Sequence, residues 1–111
     1  MVLKEAPLGQ LEYVVMLALT RLGGEAYGMQ VRREIHEKTG REISIGAVYT
    51  TLDRLEEKGM LRSEIGRPTP ERGGRARRTF QVLAKGFRAL RKTQSTLSSL
   101  SEGLFPEGRG A

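Results

Sequence analysis

The stretch Ser44-Ile45-Gly46-Ala47-Val48-Tyr49-Thr50-Thr51-Leu52-Asp53-Arg54-Leu55-Glu56-Glu57-Lys58-Gly59 decides the fold. Ser44 is a good helix N-cap, because its hydroxyl can accept an unpaired amide of the first turn, and Gly59 is a natural stop. Between them Ile45, Val48, Leu52 and Leu55 make one apolar stripe at the helical period, which predicts a helix over 45–58. At ~100° per residue, Gly46, Ala47, Thr50 and Arg54 lie on the other side with Asp53 and Glu57, and Tyr49 sits at the border. The leading half of the outer face is small and uncharged, and the acidic residues come later. A helix pushed end-first into a groove needs that order.

Upstream, residues 27–39 read as a second helix, with Val31 and Ile35 inward and Arg32, Arg33, Glu34, Glu37 and Lys38 solvated. Gly40 ends it, and Arg41-Glu42-Ile43 reads as a connector with a one-rung strand. Further upstream, over 8–22, Leu8, Leu11, Val15, Ala18 and Leu22 recur at three- and four-residue steps. Val14, Met16, Leu17 and Leu19 fill the other faces. A helix apolar nearly all round is buried on more than one side, and in so short a chain the second side is expected to be another subunit. Gly23-Gly24 stops this helix.

Downstream, 60–65 and 78–83 are short apolar alternations, and Thr79-Phe80-Gln81-Val82 has strand composition. The segment 66–76 between them, with two prolines and three glycines, is a hairpin loop. Arg62, Arg67, Arg72, Arg75, Arg77 and Arg78 give residues 62–78 a net charge of +4, the largest share of the chain's +6. Arginine suits bidentate grip on phosphate. A last helix over 84–104 carries Phe87, Leu90, Leu97, Leu100 and Leu104, with Leu90, Leu97 and Leu104 spaced by heptads. Residues 105–111 read as a frayed tail.

A chain of 111 residues holds one domain with an appended arm. It has no cysteine and one histidine, His36, which is expected on the surface, so no disulfide, metal site or cofactor is expected. There is no Walker-type phosphate loop and no credible Ser-His-Asp set, so no enzyme is expected. The apolar run 13–19 is too short for a membrane span and the first residues lack signal-peptide order; a cytoplasmic protein is expected.

Helix, helix, capped helix, basic hairpin, helix is the order of a winged helix-turn-helix over 8–83 with a C-terminal dimerisation helix over 84–104, a mainly α (α+β) fold. Double-stranded DNA is the expected partner. The DNA-facing set is then Ser44, Gly46, Ala47, Tyr49, Thr50 and Arg54 on the third helix, with Arg72, Arg75 and Arg77 in the hairpin. Alternatives stay open at several positions. Gly46 could serve close packing on helix two, Tyr49 the edge of the core, Arg54 an ion pair, and Arg78 a structural role. A homodimer would bury Leu11, Val15, Phe87, Leu90, Leu97, Leu100 and Leu104. A winged helix can also act as a protein-docking module with no DNA role.

The residues resemble a known family. Leu8-Gly9-Gln10-Leu11-Glu12-Tyr13, Gly24-Glu25-Ala26-Tyr27-Gly28, the stretch 44–59 and Pro68-Thr69-Pro70-Glu71-Arg72-Gly73-Gly74-Arg75-Ala76-Arg77-Arg78 look like the PadR family of transcriptional regulators, across 8–104. The chain is similar to its short type, with one C-terminal helix. The resemblance implies a dimeric winged-helix DNA binder, usually a repressor, and for some relatives a response to small aromatic effectors.

Overall fold

The computed structural model describes residues 8–66 and 77–105. In chain order the elements are α1 (Gln10–Arg21), β1 (Glu25–Tyr27), α2 (Gly28–Thr39), α3 (Ile45–Glu57), β2 (Leu61–Ile65), β3 (Arg78–Val82) and α4 (Ala84–Ser101). The strands form one antiparallel sheet in the order β1-β3-β2. The fold is mainly α with a winged helix. The hairpin tip, with Arg67, Arg72 and Arg75, and residues 106–111 of the expected tail lie outside the described residues.

The starts of α1, α2 and α3 are set locally. Glu12 Oε1 accepts the Gly9 amide at 2.9 Å, and Gln30 Oε1 accepts the Tyr27 amide at 3.0 Å, so in α1 and α2 the third residue reaches back to the cap. Ser44 caps α3 as expected, its hydroxyl accepting the Ala47 amide at 3.0 Å. Helix α1 ends on Gly23 and Gly24, at φ 95° and 87°, which lets the Gly24 amide return to the Leu19 carbonyl at 3.0 Å.

The core lies where α1, α2 and α3 meet the sheet. Val15, Met16, Leu19, Val31, Val48, Leu52, Leu55 and Phe80 are all fully enclosed. The buried Glu12 carboxylate ties the front of α1 to the end of α3 through Lys58 Nζ at 2.7 Å. Burial alone would raise its pKa; hydrogen bonds from Lys58 and the Gly9 amide, with the positive charges of Lys58 and Arg54, outweigh that and hold it below the ordinary 4.5.

Three expectations are corrected. The extra strand is at Glu25–Tyr27, not at Arg41-Glu42-Ile43. It pairs with β3 (Glu25 with Gln81, Ala26 with Phe80, Tyr27 with Thr79), covering the edge that a two-stranded hairpin leaves open. The connector instead buries Ile43, whose carbonyl accepts Arg32 Nε at 2.7 Å. Second, Val15 and Leu90 belong to the protomer's own core, because α1 is central, with α2, α3 and α4 packed around it. Neither is open to a partner. Third, α4 stops at Ser101, with Gly103 at φ 79°, so Leu104 lies in the turn beyond it.

The seat of α4 is tight. The Leu83 amide donates to the Met60 carbonyl at 3.0 Å, and a Cβ on the buried Gly86 would overlap that same oxygen and lie 3.0 Å from Met16 Cε. Gly86→Ala is therefore expected to destabilise the fold by about 1–3 kcal/mol through overpacking, measured as a lower urea midpoint. An unchanged midpoint would mean that α4 does not rest on Met60 this closely.

Candidate nucleic-acid interface

Helix α3 projects its leading half outward. Ser44, Gly46 and Thr50 are exposed, and Ala47 and Tyr49 are half-buried. Gly46 is open: a Cβ there would meet nothing nearer than Ser44 Oγ at 4.0 Å. Helix two is not packed against it, so within the protomer no neighbour demands a glycine. A glycine in a helix costs up to ~1 kcal/mol against alanine, so its small size points outward.

Tyr49 has a structural duty. Its ring lies 6.1 Å from that of Phe80, and a Cβ on Gly28 would come within 2.6 Å of Tyr49 Cζ. Gly28 thus lets the start of α2 approach α3 through this ring. The glycine was visible in the sequence, but its partner is 21 positions away and no local signal pairs them.

The later, acidic half of α3 is bonded to the wing. Arg78 spans Asp53 Oδ1 at 2.8 Å and Glu56 Oε1 at 2.9 Å, with its guanidinium 4.6 Å from the Phe80 ring centre. Glu56 also accepts the Ser63 amide at 2.9 Å and the Ser63 hydroxyl. The Ser63 hydroxyl bond, helped by the Ser63 amide and Arg78 against a cost of burial, holds the Glu56 carboxyl below its ordinary 4.5. One carboxylate therefore joins α3 to both strands of the hairpin, and two acidic charges beside the outer face are matched by one arginine.

The remaining expected residues divide. Arg77 lies at the wing root with its guanidinium 4.1 Å from the Tyr27 ring centre. Arg54 is exposed and makes no ion pair among the described residues; its charge helps keep Glu12 ionised. Arg72 and Arg75 lie outside the described residues. Missed from the sequence were Met29 and Arg33 on the outer side of α2, which resembled an ordinary solvated face. With Tyr27, Tyr49, Arg77 and Arg78 they line a groove of about 510 Å³ between α2, α3 and the wing root.

The family model for the transcriptional regulator PadR-like family matches residues 15–92. A padr family transcriptional regulator from Eggerthella lenta DSM 2243 is 28% identical, with 86% of this chain and 82% of that one covered and a TM-score of 0.68. A PadR-like transcription factor from Bacteroides fragilis is 25% identical over 86% of this chain and 87% of that one, with a TM-score of 0.74. F93 from STIV, a winged-helix DNA-binding protein, shares the fold at 20% identity, with 82% and 90% covered and a TM-score of 0.67. No curated protein matches the chain.

The openness of Gly46 sets apart stability and binding. Gly46→Ala is expected to raise stability by up to about 1 kcal/mol, while weakening binding to DNA at fixed salt; Gly46→Leu should abolish binding in a folded protein. Urea unfolding and fluorescence anisotropy measure the two effects. Full DNA affinity in Gly46→Leu would show that this face is not inserted.

Proposed function

The chain belongs to the PadR-like family of transcriptional regulators, and on that footing we propose that it acts as a homodimeric repressor on a palindromic operator. It is a regulator with a winged-helix DNA-binding fold, not an enzyme. The observation that carries the proposal is the open leading face of α3, with Gly46 and Thr50 exposed, beside a wing whose sequence is rich in arginine. Base edges in the major groove present a distinct pattern for each pair, and an α-helix fits that groove. Ser44, Gly46, Ala47 and Thr50 are the proposed major-groove residues, with Tyr49 at the margin. Arg54 and Arg72, Arg75 and Arg77 are the proposed backbone contacts.

The dimer is proposed from α4. Its first turns bury Gly86, Ala89 and Leu90 against the domain, but Phe87, Leu97 and Leu100 are 41%, 51% and 75% exposed. Leu104 and Phe105 beyond it are exposed too, and Leu17 on α1 adds to the apolar surface. A second copy would cover these side chains and space two recognition helices by one turn of DNA, about 34–36 Å. Leu11, half-buried on α1, would join that interface; Val15 and Leu90 would support it from inside. The family resemblance supports the added proposal that a small aromatic effector releases the operator. No helix among the described residues is long and apolar enough to cross a membrane, and a cytoplasmic site of action is part of the proposal.

Sedimentation of the wild type and of Leu97→Asp, joined to a gel shift on the DNA upstream of its own gene at two salt concentrations, tests this. The expected result is a dimer that shifts that DNA, binds less at higher salt, and loses both assembly and binding in Leu97→Asp. A monomeric wild type, or a fully dimeric Leu97→Asp, would overturn the interface. A stable dimer with no affinity for any duplex would favour a protein-docking module.

A further inference from the structure

We infer that the groove between the outer side of α2 and the wing root seats one sugar-phosphate strand of DNA, with Arg33 and Arg77 as its phosphate-binding cations. This rests on the DNA-binding function proposed above and adds residues to it. The first support is charge. Among the described residues, Arg33, Arg77 and Arg78 are in the groove wall and no carboxylate residue is.

The second support is how the neighbouring arginines are used. Arg21 is paired with Glu34 at 3.0 Å, Arg32 donates to the Ile43 carbonyl at 2.7 Å, and Arg78 is held by Asp53 and Glu56. Arg33 is exposed and has no ion pair among the described residues. Arg77 meets the Tyr27 ring with its guanidinium, and such a contact leaves N–H groups free to donate. The fold therefore engages three arginines internally and leaves Arg33 and Arg77 on either side of the groove.

The third support is shape. Met29, 42% exposed, and Tyr27 give the groove an apolar rim suited to the deoxyribose between phosphates. Met29 and Arg33 also line a second depression, of about 240 Å³, with Arg32, His36 and Arg41 in its wall and one carboxylate, Glu42, among them. The two meet on α2 and form a track past the helix-turn-helix corner. Tyr49 forms the α3 side of the groove, directly before Thr50, so a strand in the track runs beside a helix placed in the major groove.

The test uses the full chain and a fluorescein-labelled duplex of the DNA upstream of its gene, titrated by anisotropy over a salt series. Each neutralised phosphate adds about 0.9 to the slope of log affinity against log salt. Arg33→Ala removes one phosphate contact from each protomer of the dimer, and is expected to lower affinity about a hundredfold at low salt, the scale of two charge-assisted bonds, and to flatten the slope by about 1.8. Arg33→Lys should keep the slope, and Arg91→Ala on α4, removing the same charge elsewhere, should leave both values unchanged. Met29→Glu, which puts a carboxylate in the groove, should weaken binding while the unfolding midpoint is kept. Exchange of chloride for inorganic phosphate at equal ionic strength should affect wild type and Arg33→Ala alike. Steep wild-type binding with an unaltered Arg33→Ala slope would overturn the seat and leave the DNA-binding reading standing. A phosphate-specific loss in wild type alone would assign the groove to a free anion. A wild type with no salt-dependent binding would overturn both.

Discussion

The Glu56 carboxylate accepts the amide and hydroxyl of Ser63 from β2 and the guanidinium of Arg78 from β3, and it stands on the last turn of α3. A two-stranded hairpin is marginal alone in water. Here the hairpin is anchored to a helix by hydrogen bonds to an ionised group, which are stronger than those between neutral groups. Two further constraints support the same joint. Phe80 fills the core from β3 and touches Tyr49, and β1 pairs along the edge of β3 that the hairpin leaves open. At the other side, Glu12 and Lys58 fix the end of α3 to the start of α1. The angle between helix and wing is thus set by bonds on two sides of the C-terminal end of one short helix.

The placement of charge follows from this joint. Asp53 and Glu56 would repel a phosphate backbone if they were left unmatched. Arg78 offsets them and cannot at the same time serve as a free phosphate ligand. The residues exposed on the leading half of α3 are small or hydroxylic, and Arg33 on α2 and Arg77 at the wing root add positive charge beside them.

The elements were legible where the code is local. Ser44 and Gly59 bracket α3, its apolar stripe has the helical period, and the wing strands alternate as strands do. The strand β1 was not legible, because three residues cannot display a period and its existence depends on an edge created far along the chain. Val15 and Leu90 carried the right apolar character but no sign of which chain would cover them. Whether such a face meets its own domain or a second copy is settled by tertiary packing. Arg77 and Arg78 looked alike in the sequence; partners at Tyr27, Asp53 and Glu56 separate them. Arg33 was hidden for a simpler reason, since a charged residue on the polar side of a helix is usually only solvated.

The central claim is that Glu56 makes α3 and the wing a single rigid surface. Amide hydrogen exchange measured in wild type and Glu56→Ala tests it most directly, because exchange reports the opening of one region relative to another. Loss of bonds to an ionised group should speed exchange at Ser63 and along β2 and β3 by about ten- to a hundredfold, while α1 and α2 keep their protection. Wing amides that exchange equally slowly in both proteins would contradict the claim.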